Sequence, residues 1–77
     1  MASSLSRFFV LPSNEGDWLI FREGTQRPVH RLDDKENAVE TARAMAREDA
    51  PSEVMVERRD GKFHRQYAFA PGGADLH

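Results

Sequence analysis

Cysteine is absent from the 77 residues, which excludes disulfide bonds and zinc sites built on thiolates. Long apolar runs are absent too, so the sequence predicts no membrane span. The first residues, Met1 to Ser6, have no apolar segment of the kind found in signal peptides. We therefore expect a cytoplasmic protein with no membrane association.

A strong positive charge is also missing. The net charge is −2 and the isoelectric point is about 5.9, whereas dedicated nucleic-acid-binding domains are usually basic. A chain of this length forms one domain at most. We predict a disordered arm over residues 1–6, a single α+β domain over residues 7–70 and a flexible tail over residues 71–77.

Recognisable catalytic and cofactor motifs are lacking. The serines lie in the predicted arm or loops without the G-x-S-x-G context of a nucleophile, and Gly72-Gly73 falls in the tail rather than in a phosphate loop. His30, His64 and His77 are scattered along the sequence, and a metal site would need further ligands near them. The sequence thus predicts no enzymatic activity, no cofactor and no metal site.

One stretch, Leu32 to Pro51, has a helical period. Its apolar residues recur at the three- and four-residue spacing that forms one buried stripe, at Ala38, Val39, Ala42, Met45 and Ala46. Asp33 or Asp34 can cap the start, because a short carboxylate can accept a hydrogen bond from a free backbone N–H. Pro51 disfavours a helical Ala50 and ends the helix.

The rest of the domain is rich in short β-forming segments separated by turn residues. Asp60-Gly61 is the strongest turn signal, since a glycine readily adopts a positive φ. The predicted class is α+β with the order β-β-β-α-β-β, in which an antiparallel sheet of four to five strands carries one α-helix on one face. The predicted strands are 7–11, 18–23, 28–32, 53–59 and 62–69, and the third could pair in the sheet or not.

Strand alternation predicts which side chains share a face. If Leu11 pairs with Trp18, one face of the first hairpin carries Phe9, Leu11, Trp18 and Ile20, which we expect in the core. A two-residue turn at Asp60-Gly61 turns Val54, Val56, Phe63 and Tyr67 towards the helix, and Met55, Glu57, His64 and Gln66 away from it. A single helix covers only one face, so an apolar patch is expected on the other. Its members, the interface candidates, are Phe8, Val10, Leu19, Phe21 and Met55.

A cluster of basic residues surrounds the second hairpin and provides a different candidate surface. A β-ribbon can enter a nucleic-acid groove, but Glu57 and Asp60 interrupt this cluster and the helix is acidic. A solvated turn explains the same residues. The nucleic-acid candidates are Arg58, Arg59, Lys62 and Arg65.

Three segments together resemble a known family. They are W-L-I-F-R-E-G (Trp18 to Gly24), D-D-K-E-N-A-V-E-T-A-R (Asp33 to Arg43) and E-R-R-D-G-K (Glu57 to Lys62). Their order and spacing resemble the small bacterial domain-of-unknown-function family 2188. The resemblance implies a stand-alone cytoplasmic protein of a bacterium, or of a phage or mobile element, and it implies no activity.

These observations predict a non-enzymatic interaction module that forms a homodimer through its open sheet face, or that binds an unidentified protein there. Two alternatives remain open. One is a nucleic-acid-associated protein that uses the Arg58–Arg65 hairpin, and the other is a small phage-borne inhibitor that binds a host protein complex.

Overall fold

The computed structural model describes residues 5–76. The predicted α+β class and the order of the elements are confirmed. Residues 1–4 of the predicted arm lie outside the described residues, and Ser6 already belongs to the first strand. The elements are β1 (Ser6–Pro12), β2 (Trp18–Arg22), β3 (His30–Leu32), α1 (Lys35–Glu48), β4 (Ser52–Glu57) and β5 (Phe63–Phe69).

The five strands form one sheet in the order β3-β2-β1-β4-β5. The short third strand pairs with β2, from Trp18 opposite Leu32 to Ile20 opposite His30. The sheet is mixed rather than purely antiparallel, which corrects the prediction, because β1 and β4 are parallel. The reason is the helix between β3 and β4. A hairpin reverses the direction of the chain, whereas a helical crossover returns the chain to the end of the sheet where the previous strand began. β4 therefore runs in the same direction as β3, which two antiparallel pairings make the direction of β1.

Helix α1 lies on one face of this sheet and buries its small-residue stripe. Asp34 is the N-cap, and its carboxylate accepts a hydrogen bond from the Asn37 backbone N–H at 2.8 Å. Ala38, Ala42 and Ala46 are fully buried. Because alanine is small, the helix axis can lie close to the strands. The buried residues of the core are Phe8, Val10, Ile20, Ala38, Val39, Ala42, Ala46, Val54, Val56 and Phe69.

The first hairpin has a register that differs by one residue from the predicted one. Leu11 pairs with Leu19 and Pro12 with Trp18, so the connecting loop has five residues and is closed by a hydrogen bond from the Ser13 N–H to the Asp17 carbonyl at 2.8 Å. Phe8 and Val10 are therefore fully buried under the helix. Their predicted place on the open face is wrong, as is the predicted core position of Phe9 and Leu11.

The second hairpin turns through three residues rather than two. The Gly61 N–H donates to the Arg58 carbonyl and the Arg58 N–H donates to the Lys62 carbonyl, both at 2.9 Å, while Gly61 has a φ of 80°. The extra turn residue pairs Glu57 with Phe63 and Val56 with His64, so Phe63 and His64 occupy the faces opposite to those predicted. A bulge between Val54 and Met55 restores the predicted pairing of Val54 with Tyr67.

The segment after β5 follows the edge of the sheet. The Leu76 N–H donates to the Ala68 carbonyl at 2.8 Å, and Asp75 forms an ion pair with Arg43 of the helix at 3.3 Å. Phe69 is almost completely buried on the helix side of β5, with the Arg47 guanidinium 5.5 Å from its ring centre. These contacts connect the C-terminal residues to α1 and β5.

Candidate interaction surface

The sheet face opposite α1 carries a cluster of apolar side chains, which we call the open-face cluster. Strand alternation places residues from four strands side by side: Phe9 pairs with Phe21 and with Met55, and Leu11 pairs with Leu19. Within residues 5–76 the only helix lies on the other face. The members of the open-face cluster are Phe9, Leu11, Leu19, Phe21, Met55 and Phe63.

The side chains of this cluster remain partly exposed. Phe9 and Phe63 meet edge to face, with their ring centres 5.2 Å apart, so the aromatic surface continues from β1 across β4 to β5. Phe63 is 36% exposed, and the other members are intermediate in exposure. Large aromatic and aliphatic groups that share a face in this way are typical of a binding surface.

A row of alternating charges lies beside the cluster. The Arg7 guanidinium contacts the Glu53 carboxylate at 2.9 Å on one side and the Glu23 carboxylate at 3.2 Å on the other. Arg65 reaches the second oxygen of Glu53 at 3.3 Å. These contacts raise the pKa of Arg7, chiefly through the hydrogen bond to Glu53 and then that to Glu23. From β2 to β5 the row, which we call the charge row, reads Glu23, Arg7, Glu53, Arg65.

The opposite end of the open face borders the β1–β2 loop. Arg31 of β3 donates to Asp17 at 2.7 Å and lies 3.4 Å from Glu15. A hydrogen bond from the Ser13 hydroxyl, and then the one from Arg31, lower the pKa of Asp17. A cleft of about 460 Å³ lies between this loop and the cluster members Leu11, Leu19 and Phe21.

The interface candidates from the sequence divide into two groups. Leu19, Phe21 and Met55 lie on the open face, whereas Phe8 and Val10 belong to the core. Sequence reasoning missed Phe9, Leu11 and Phe63. The five-residue loop Ser13–Asp17 was the available signal for the first two, since Ser and Asp at its ends can hydrogen-bond across it and fix the register.

The basic residues of the second hairpin do not act as one group. Arg65 belongs to the charge row, paired with Glu53. Arg58 and Arg59 instead line a cleft of about 410 Å³ together with Asp60 and with Lys35, the first residue of α1. Lys35 was not a candidate from the sequence, because the strand order that brings the helix start beside this turn is a tertiary feature.

The two histidines that the structure describes do not come together. His30 lies on β3 and His64 on β5, which are the two opposite edges of the sheet. Within residues 5–76 no group of three or more metal-binding side chains is present. In the same residues no helix is long and apolar enough to cross a membrane.

Comparison with known families identifies the chain. The model of the family described as "Uncharacterized protein conserved in bacteria (DUF2188)" matches residues 8–69, which run from the buried Phe8 in β1 to the buried Phe69 in β5. The chain belongs to this family. Comparison with curated proteins and with solved structures gave no match.

The match covers β2, β3, α1, β4 and β5 of the DUF2188 domain completely, and β1 from its third residue, Phe8. The resemblance inferred from three sequence segments is therefore confirmed, with both the open-face cluster and the charge row largely inside the matched region. Of the described residues, those before Phe8, among them Arg7 of the charge row, and those after Phe69 lie beyond it.

Proposed function

We propose that this DUF2188 domain is a non-enzymatic interaction module that forms a homodimer by packing its open sheet face against the same face of a second copy. The observation that carries the proposal is the charge row beside the open-face cluster. The apolar cluster supplies surface whose removal from water is favourable, at roughly 25 cal/mol per Å². The charge row determines which partner fits.

The sign pattern of the charge row favours a copy of the same chain. Read across the strands, the row is negative, positive, negative, positive. A twofold axis parallel to the strands reverses this order in the partner, so Glu23 faces the partner's copy of Arg65 and Arg7 faces that of Glu53. Every position then meets the opposite charge, and the strands of the two sheets are aligned as in a β-sandwich.

The same arrangement brings the two apolar clusters together. Phe9 and Met55 are neighbours on adjacent strands. Because the twofold axis passes between β1 and β4, Phe9 of one copy faces Met55 of the other. A surface with an apolar centre and charges at its edge has the organisation of a protein–protein interface. The chain contains no cysteine, which accords with a dimer that works in the reducing cytoplasm of a bacterium.

The dimer is tested by measuring absolute mass with light scattering during size-exclusion chromatography, over a tenfold dilution series. We expect the mass of a dimer for the natural chain. Phe21→Lys should raise the dimer dissociation constant by roughly tenfold or more, because it places a charge inside the apolar contact, beside Phe9. Ala44→Lys is the matched control: it adds the same charge on the exposed side of α1, and should leave the mass unchanged.

Circular dichroism distinguishes loss of association from loss of the fold. Phe21→Lys should keep the melting profile of a folded domain, since Phe21 lies outside the core. A natural chain that is monomeric throughout the dilution series would contradict the homodimer. A monomer that captures a separate bacterial protein through the same cluster would favour the alternative of a small inhibitor.

A further inference from the structure

The end of the molecule near the second hairpin has a different electrostatic organisation from the open face. On the open face each cation is paired: Arg7 and Arg65 with Glu53, and Arg31 with Asp17. At the hairpin end, by contrast, the ion pair among residues 5–76 joins His64 to Asp60 at 3.9 Å, and the nearby lysines and arginines form none. These unpaired cations are Lys35, Arg58, Arg59 and Lys62.

Three of these cations converge on one cleft. Lys35, Arg58 and Arg59 line the cavity of about 410 Å³ and also a neighbouring one of about 250 Å³ that includes Trp18. Two guanidinium groups offer planar pairs of N–H donors that match phosphate oxygens, and an ammonium adds a point charge. A phosphate that binds in this cleft would not have to break an existing ion pair between these cations and a carboxylate.

The position of Lys35 supports a role in binding. It is the first residue of α1, where a positive charge is opposed by the helix dipole. Its ammonium lies 5.8 Å from the centre of the Trp18 ring, which holds the side chain over the sheet and towards the cleft. An anion bound beside Lys35 would offset this unfavourable charge.

The acidic groups near the cleft limit the kind of ligand. Asp60 lines the larger cavity and Glu57 the smaller one, while Asp34 is engaged as the helix cap. Glu36 and Glu40 lie exposed further along α1. The positive surface is therefore compact, whereas a nucleic-acid strand needs a cationic track over several phosphates.

We propose that Lys35, Arg58 and Arg59 form a binding site for a compact phosphate-bearing small molecule, with the phosphate group as the recognised chemistry. The site lies at the helix side of the β4–β5 turn. It is separate from the open-face cluster and does not depend on dimer formation.

Trp18 is the single tryptophan of the chain and provides a direct signal. Its fluorescence is followed while inorganic pyrophosphate is added to the full chain at low ionic strength. We expect a saturable change, since the ligand draws Lys35 away from the ring. Arg58→Gln and Lys35→Gln should each weaken binding by roughly tenfold, the effect of losing one charge-assisted hydrogen bond.

Two further variants make the test specific. Arg27→Gln removes one cation from the β2–β3 turn, at the opposite end of the strands, and should leave the affinity unchanged. Asp60→Asn removes the carboxylate that lines the cavity but keeps an oxygen for the hydrogen bond from the Lys62 N–H, and should strengthen binding by a few fold. Phe21→Lys should bind pyrophosphate like the natural chain, which separates this site from the proposed dimer.

A change that does not saturate, or an equal loss of affinity in Arg27→Gln and Arg58→Gln, would show diffuse attraction and overturn the site. A single-stranded oligonucleotide is titrated in parallel. Binding of that strand much tighter than of pyrophosphate, with release of more than about three counterions in its salt dependence, would also overturn it in favour of a nucleic-acid track.

Discussion

Asp17 illustrates how single residues control the open face. Its carboxylate accepts hydrogen bonds from the Ser13 hydroxyl and from Arg31, and both lower its pKa below the ordinary value of 3.8. The pair with Ser13 closes the β1–β2 loop, and the pair with Arg31 joins that loop to β3. The register of β1 and β2, and with it the identity of the open-face residues, is stabilised at this point.

The lowered pKa of Asp17 predicts an acid-dependent loss of stability. A carboxyl group whose folded pKa lies below its unfolded value stabilises the protein at pH values above the unfolded value, and this contribution disappears as the pH falls through the folded pKa. The free energy of unfolding should therefore decrease below about pH 3.8. In Asp17→Asn this part of the decrease should be missing, as chemical denaturation at several pH values would show.

A direct titration completes this test. The Asp17 carboxyl resonance, followed by NMR, should have its midpoint below 3.8 in the natural chain. In Ser13→Ala the midpoint should move up towards the ordinary value, because the hydroxyl is the largest cause of the shift. An unchanged midpoint in that variant would show that the Ser13 hydroxyl does not cause the shift.

The two ends of helix α1 show how far the sequence predicts an element. The helical period predicted α1 and its buried stripe, but left the cap open between Asp33 and Asp34. The structure selects Asp34, because the Asn37 N–H and its side-chain amide both donate to the Asp34 carboxylate. The end of the helix is connected to the sheet by Ser52, a buried residue whose hydroxyl donates to the Ala46 carbonyl at 2.5 Å and which the sequence did not single out.

The neighbouring aspartates of the cap offer a matched comparison. Asp34→Ala should lower the free energy of unfolding by about 1 kcal/mol, the usual effect of removing an N-cap side chain. Asp33→Ala should have little effect, since Asp33 is exposed and lies one residue before the cap. Urea denaturation of both variants measures the difference, and equal losses would argue against Asp34 as the only cap.

At the level of the whole molecule, the charge row makes a prediction about partner choice. A variant that reverses all four of its charges (Glu23→Arg, Arg7→Glu, Glu53→Arg, Arg65→Glu) keeps every ion pair within the chain and the complementarity with its own copy. Against the natural chain, however, each charge faces one of the same sign, which is costly across an interface. Both homodimers should form, and mixed dimers should be rare.

Native mass spectrometry of the two chains, one of them labelled with ¹⁵N, measures the fraction of mixed dimers. A fraction well below that of random mixing supports the twofold arrangement. Random mixing would show that the charge row does not lie between the subunits, even where a dimer exists.

The sequence by itself determined the class, the order of the elements, the helix and the family, because these depend on local patterns: a 3.6-residue period, alternating strands and turn residues. Only the tertiary structure decided which residues face outward. One residue of difference in a loop exchanges the two faces of a strand, so Phe8 and Val10 entered the core and Phe9 and Leu11 left it. The parallel pairing of β1 with β4 and the meeting of Lys35 with Arg58 and Arg59 join residues distant in the chain, and such contacts depend on the packing of all the elements together.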